Sequence, residues 1–299
     1  VLFRSYDLVV ANPPYAKFTI EGQRASKNHN LSREFIKKAI SITKQGGYVL
    51  FIVPDNWMSY SDRNLLPSEM SNYQLLHINI HGAKKYFPKV GSSFTWFLLQ
   101  KTKNKHATTI DNYYHIEEKS EVQINPQSKF IPLFYNQVID DILQRTIYSN
   151  NKKFNIETTS YLHKHTKKQY ISNKQDDIFK YKLIHTPTQT VYSSIPHKFQ
   201  DGYKVFLSLT NQYGTFIDNC GMTQSIAFIR CNNLEEAQEI QKELNHPIYK
   251  FLNNITRYGN FNNIRVLQSL PRLKNINLTT KEINIITQFN SKYYGKKEK

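Results

Sequence analysis

The chain has 299 residues, of which 39% are hydrophobic and 13% aromatic, enough to build one large core or two of ordinary size. Its 40 Lys and Arg against 23 Asp and Glu leave a formal charge of +17, which favours polyanions and makes nucleic acid the leading partner class, ahead of an acidic membrane surface. No apolar run nears the ~20 residues of a spanning helix, the N-terminus does not read as a secretory signal, and Cys220 and Cys231 fit no C-x-x-C pattern, so two reduced thiols in a cytoplasmic protein are expected rather than a disulfide or zinc framework.

In chain order, "YDLVVA" (6–11) is a short β-branched run suited to a buried strand. Phe35, Ile36, Ala39, Ile40 and Ile42 recur at near-helical spacing, with Gly46-Gly47 placed as a C-cap. "YVLFIV" (48–53) predicts a second buried strand, 62–72 a helix, "LLHINI" (75–80) a strand, and "SFTWFLLQK" (93–101) a further strand after a basic, aromatic loop. Alternating strand-like and amphipathic segments indicate an α/β sheet with helices on its faces. The hydrophobic pattern lapses over 102–112, predicting a linker between a domain at 1–103 and a second at 112–295.

The second region predicts one helix near 136–149 and Tyr-rich strands at 180–186, 190–195, 204–210 and 225–231. Asn233 should cap a helix whose stripe is Leu234, Ala237, Ile240 and Leu244, and Pro247 should break it. Thr279 to Glu282 forms a capping box for a final helix. Positive charge is spread over both regions: residues 1–101 hold 13 basic and 6 acidic residues, and residues 102–299 hold 27 and 17.

The chemistry concentrates in Asn12-Pro13-Pro14-Tyr15, directly behind the first strand. Two successive prolines make a stiff turn with few N–H donors, leaving carbonyls able to accept from a ligand. Asn12 adds an acceptor beside a donor, and Tyr15 adds a flat face for stacking. Together they suit a planar exocyclic amino group, at the strand end where open α/β sheets bind ligands.

This turn resembles the (Asn/Asp/Ser)-Pro-Pro-(Tyr/Phe) motif of amino-methyltransferases that use S-adenosylmethionine. "GGYVLFIVPDNW" (46–57) and "KKYFPKVGSSFTWFLLQKTK" (84–103) are similar to the TaqI-like, gamma-class adenine-N6 DNA methyltransferases of restriction-modification systems. The resemblance is specific over 6–103 and patchier beyond, where "SIAFIRC" and "GNFNNIRVLQSLPRL" (259–273) look like the end of a target-recognition domain.

It implies the C-terminal part of a Rossmann-like class I methyltransferase sheet followed by an α+β, strand-rich target-recognition domain. The target adenine would flip out of double-stranded DNA. Asn12 and the Pro13 carbonyl would accept from its N6, Pro14 would stiffen the turn, and Tyr15 and Phe87 would stack on the ring. Asn12 would also face the S-adenosylmethionine methyl. The family's Phe-x-Gly-x-Gly cofactor motif and its ribose-holding acid have no match here, and the chain lacks an initiator Met. An N-terminal truncation, with Val1 to Ser5 foreign to the gene, is expected, as is an inactive isolated fragment from a protein monomeric at full length.

Other candidates carry less. Lys164, Lys167 and Lys168, around His163 and His165, suit phosphate contact better than a metal, since no acidic residue or cysteine lies nearby. Arg257, Asn260, Asn262 and Arg265 are residue types that read base edges. Pro54-Asp55 with Glu117-Glu118-Lys119 imitates a nuclease motif, but the pair belongs to the methylase-like unit and the gap is long. The alternative functions are methyl transfer to a protein glutamine or RNA guanine amino group, and a DNA-binding specificity module with an inactive catalytic remnant.

Overall fold

The protein is described by a computed structural model covering residues 5–15, 31–62, 64–89, 93–210 and 212–295. The expectation for Val1 to Arg4 lies outside them. Two compact units divide at Ile142/Leu143.

In the first unit the elements run β1 (Tyr6–Ala11), α1 (Leu31–Ile42), β2 (Thr43–Pro54), a 3₁₀ turn (Asp55–Met58), α2 (Leu66–Met70), β3 (Tyr73–Ile80), a second 3₁₀ turn (Gly82–Tyr86), β4 (Phe94–Lys103), β5 (Thr108–Asn112), β6 (Glu118–Val122) and α3 (Gln137–Arg145), which reaches across the division. They form one mixed sheet in the order β1-β2-β4-β3-β5-β6. β1 runs parallel to β2 and β3 parallel to β5; the remaining pairs are antiparallel.

Strand alternation builds the core. Val49, Phe51 and Val53 of β2 pair with Leu99, Phe97 and Thr95 of β4, and all six are buried with Trp57 and Ile78. Each fully buried Val, Leu or Phe contributes roughly 1.5–3 kcal/mol relative to exposure. The intervening residues Leu50, Ile52, Trp96 and Leu98 are only half-buried. At the sheet's edge among the described residues, Tyr6, Leu8 and Val10 of β1 are exposed.

Several expectations change here: β1, expected as a buried strand, is instead mostly exposed, since no helix or strand among the described residues covers its outer side. The helix α1 ends at Ile42, before the Gly46-Gly47 pair, which instead lies inside β2; Gly46 takes φ +83°, where β2 and β1 shift register. The helix expected at 62–72 shortens to α2, entered through Pro67. The linker expected at 102–112 is mostly strand: β4 runs to Lys103, and β5 follows with Thr108, Ile110 and Asn112 buried. The first unit therefore extends about 40 residues beyond the expected boundary at 103, to Ile142.

In the second unit β7 (Ile171–Ser172), β8 (Tyr181–Thr186), β9 (Gln189–Ser193) and β12 (Gly221–Met222) form a four-stranded sheet in the order β12-β8-β9-β7. β10 (Lys204–Ser208), β11 (Thr215–Asp218) and β13 (Ile226–Arg230) form an antiparallel one in the order β11-β10-β13. Ile184, Phe206, Met222, Ile226 and Phe228 share a core cluster. Helices α4 (Leu234–Leu244), α5 (Pro247–Asn254), α6 (Ile264–Gln268) and α7 (Thr280–Gly295) follow. Asn233 caps α4, its side chain accepting from Glu236 N at 2.8 Å; Pro247 opens α5; and Glu282 accepts from Thr279 N at 2.7 Å in the capping box.

Two buried histidines set a pH dependence in this unit. Burial, reinforced by nearby cationic side chains, pushes His185 and His197 down to about 4. The unfolded chain then binds protons between about pH 6.5 and 4 that the folded one does not, so stability is full above this window and falls as pH drops through it. Chemical denaturation at pH 7.5, 6 and 5 should show a progressive loss, reaching at most about 2 kcal/mol per histidine by pH 5. His197→Phe should flatten the curve.

Candidate functional site

β1 ends at Ala11, so Asn12 to Tyr15 project from the carboxyl end of a parallel strand. Pro13 is buried, Asn12 and Pro14 are exposed, and Tyr15 is half-buried. The Tyr15 hydroxyl donates to Asn12 Oδ1 and lies 3.4 Å from the Ile52 carbonyl. Burial raises the Tyr15 pKa, keeping its hydroxyl a donor. One lone pair of Asn12 Oδ1 is thereby used, and the amide is oriented with its second lone pair left as an acceptor. The sequence assigns Tyr15 a stacking face, and the structure adds this hydroxyl contact to it.

Beside the turn lies a largely apolar cavity of about 530 Å³, lined by Val10, Asn12, Leu50, Ile52, Tyr86 and Trp96 among others. Register explains the lining: Val10 pairs with Leu50, and Ile52 with Trp96, so each pair shares a sheet face. His77 fixes the Trp96 wall, its ring 4.6 Å from the indole and its Nε2 2.8 Å from Asp111 Oδ2.

Phe87 is placed differently from a free-standing stacking partner. It packs on Phe94 with ring centroids 4.4 Å apart, and Tyr15 tilts against the same Phe94 at 5.5 Å. Phe94 is buried, so Tyr15 and Phe87 share one aromatic anchor. The neighbouring Tyr86, 72% exposed, lines the cavity together with Asn12 and Trp96.

Asp55, which the sequence places only in the Pro54-Asp55 pair of the methylase-like stretch, has a defined role in the structure. It is 2% exposed and accepts from Thr95 Oγ1 at 2.5 Å, while its Oδ2 lies 2.9 Å from His81 Nδ1. Nothing in the linear spacing marks this cluster, because strand order alone assembles it.

In the second unit Lys167 and Lys168 are exposed and Lys164 is half-buried. Arg257 is held by the Asn260 carbonyl at 3.0 Å and the Tyr293 hydroxyl at 3.4 Å, while Asn260 and Arg265 are exposed. Asn262 departs from the base-reading expectation. It is 4% exposed, its Nδ2 donates to the Ser208 carbonyl at 2.7 Å, and its Oδ1 accepts from Asn253 at 3.1 Å, so its side chain secures the loop from within. Among the described residues no group of three His, Cys, Asp or Glu side chains could hold a metal, and no helix is long and apolar enough to cross a membrane.

Residues 2–87 match the family described as Eco57I restriction-modification methylase. The chain is 30% identical over 82 residues to the type II methyltransferase M.TthHB8I of Thermus thermophilus, spanning 21% of this chain and 19% of that protein. Its fold is similar to that of MmeI, a type IIL restriction-modification enzyme solved with DNA, with a TM-score of 0.51 and 9% identity over 95% of this chain and 48% of that one. DrdV, also solved with DNA, gives 0.50 and 9% over 95% of this chain and 43% of its own. The chain thus spans under half the length of these relatives.

Asp55 offers a test within the first unit. Asp55→Ala strips the buried Thr95 hydroxyl and His81 Nδ1 of an acceptor, and should cost about 1–3 kcal/mol in urea unfolding.

Proposed function

We propose that this chain contributes the base-holding part of a restriction-modification methyltransferase that modifies N6 of a flipped adenine in double-stranded DNA. The observation that carries the reading is the rigid Asn12-Pro13-Pro14-Tyr15 turn at a parallel strand's carboxyl end, its Asn12 amide oriented by the Tyr15 hydroxyl. The match of residues 2–87 to a restriction-modification methylase family supports it.

Adenine N6 carries two hydrogens and a lone pair conjugated with the ring. Asn12 Oδ1 and the Pro13 carbonyl accept the hydrogens, which draws N6 toward tetrahedral geometry and frees the lone pair for attack. Tyr15 and the Tyr86-Phe87 turn hold the base plane, as stacking does for bases in single strands. Because N6 is unreachable inside a duplex, the base must leave the stack first. As the N6–methyl bond forms, the methyl–sulfur bond of the donor would break to leave a neutral thioether, and the cationic N6 would then lose one of its protons to solvent. Because that proton is acidic only after attack, alignment rather than a general base is the main demand on the site.

S-adenosylmethionine supplies an electrophilic methyl on a sulfonium. The residues present fit the methyl-bearing end of that group: Asn12 lines an apolar-walled cavity, and among the described residues no acidic side chain lines it to hold a ribose. The exposed outer edge of β1, with Tyr6, Leu8 and Val10, supports pairing with a strand of a cofactor-holding half. The chain alone is accordingly expected to transfer no methyl group.

The second unit carries DNA through Lys164, Lys167 and Lys168 on phosphates, and through Arg257, Asn260 and Arg265 on backbone or base edges.

In the polypeptide that joins this chain to a cofactor half, Asn12→Ala should lower tritiated-methyl transfer to unmethylated DNA by roughly 100-fold or more, through lost alignment. Full-rate transfer by that variant would remove Asn12 from its role. Replacing Lys167 and Lys168 with Ala should weaken DNA binding alike on all sequences and reduce the log–log salt slope by about two. Fluorescence anisotropy across a salt series measures this.

A further inference from the structure

Three side chains outside the turn form a continuous hydrogen-bonded chain. Asp55 Oδ2 lies 2.9 Å from His81 Nδ1, and His81 Nε2 lies 2.8 Å from Ser93 Oγ. A carboxylate can only accept, so with a neutral ring the Nδ1 proton points at Asp55 and Nε2 accepts from the Ser93 hydroxyl. Asp55 is also tied through its backbone, its N donating to the Ser93 carbonyl at 3.1 Å, and Thr95 Oγ1 occupies its other oxygen at 2.5 Å.

Each member stands at a strand end. Asp55 follows β2, His81 follows β3, and Ser93 precedes β4. His81 and Ser93 are also the two ends of the segment that carries Tyr86 and Phe87, so their hydrogen bond closes that segment at its base. His81 adopts φ 72°, a left-handed conformation uncommon for a residue with a side chain, and opens the 3₁₀ turn over Gly82–Tyr86. The His81 carbonyl accepts from Lys84 N at 3.1 Å, and the Lys84 carbonyl accepts from Phe87 N at 3.0 Å. Backbone held in a sparsely populated region persists where its surroundings over-determine it. Here those surroundings are the Asp55 carboxylate and the edge of the Tyr114 ring, 4.9 Å away.

We propose that Asp55, His81 and Ser93 are positioning residues that fix the Tyr86-Phe87 turn beside Asn12, setting where the aromatic side chains meet the target base. The inference rests on the base-holding reading of Asn12 to Tyr15. Asp55 anchors the His81 ring, His81 holds the Ser93 hydroxyl, and Ser93 sets the start of β4 and hence Phe94, against which both Phe87 and Tyr15 pack. The same constellation of groups serves nucleophilic hydrolysis in other proteins. Here the Ser93 carbonyl is bonded to Asp55 N and all three members clamp the base of a loop, which favours bracing over chemistry at Ser93.

The test compares Ser93→Ala with Ser93→Thr, which restores a hydroxyl. Hydrogen exchange of amides 82–89, measured on the chain as it stands, should speed up by roughly tenfold or more in Ser93→Ala, leave the β2 and β4 cores protected, and return toward the parent rate in Ser93→Thr. Nitrogen-15 spectra of the parent at neutral pH should show the His81 proton on Nδ1. In the methylating polypeptide, Ser93→Ala should lower kcat about tenfold with KM for DNA within about twofold, as expected for misaligned rather than lost contacts. Unchanged exchange in Ser93→Ala, equal behaviour of the Ala and Thr variants, or a parent-like kcat overturns the proposal. Labelling of Ser93 by a fluorophosphonate also overturns it, in favour of a nucleophile. An Asn12→Ala enzyme that methylates at full rate would sink the base-holding reading while leaving the exchange result intact, so the two failures are distinguishable.

Discussion

The antiparallel register of β2 against β4 is the constraint on which the first unit depends. Seven consecutive pairs, from Tyr48 opposite Gln100 to Pro54 opposite Phe94, assign each side chain of the two strands to a face. A slip of β4 by one residue would invert its faces, sending Phe97 and Leu99 away from the side where Phe51 and Val53 lie. It would also remove Phe94 from the end of the ladder. That residue is the buried ring on which Tyr15 and Phe87 both rest, so the site inherits its geometry from the sheet rather than from the turn alone.

The parallel pairing of β1 with β2 supplies the other half of the arrangement. With Ala11 opposite Phe51, Asn12 emerges beside Ile52, whose carbonyl lies near the Tyr15 hydroxyl. Proline 13 locks the exit direction because its φ is fixed and its ring is buried. A flexible turn could present the same amide in many orientations and would lose alignment at each encounter. Two prolines and a tyrosine hydroxyl reduce that freedom before any ligand arrives.

Much of this was legible in the sequence, and what was not has identifiable causes. The Asn-Pro-Pro-Tyr turn, the caps at Asn233 and Thr279, and the break at Pro247 are local effects, set by residues within a few positions of one another. β5 escaped because two of its inward residues are polar. Thr108 satisfies its hydroxyl on the Leu75 carbonyl at 2.7 Å, and Asn112 exchanges hydrogen bonds with the Tyr135 backbone at 2.9 and 2.8 Å. Hydrophobic periodicity cannot register a core position occupied by a satisfied polar group. Asn262 misled in the opposite direction: its residue type suits base recognition, yet its partners are Ser208 and Asn253, far from it in the chain or around one loop.

Asp55, His81 and Ser93 show the limit most clearly. They are separated by 26 and 12 residues and belong to no local motif. They meet because β4, the third strand in the sheet order, lies between β2 and β3 although it follows both in the chain, which brings the end of β2, the end of β3 and the start of β4 to one end of the sheet. The parallel strand β1 ends at that same end of the sheet, so the topology that gathers the three polar groups also sets them on the same end as Asn12. A buried carboxylate is costly unless its oxygens are engaged, and both oxygens of Asp55 are taken, one by a hydroxyl and one by an imidazole. A hydrophobic side chain could fill the same volume without desolvation cost, but it could not dictate the direction of the His81 ring. The chain gains orientation at the base of an aromatic loop, and orientation is what a base-holding site requires from groups that never touch the base.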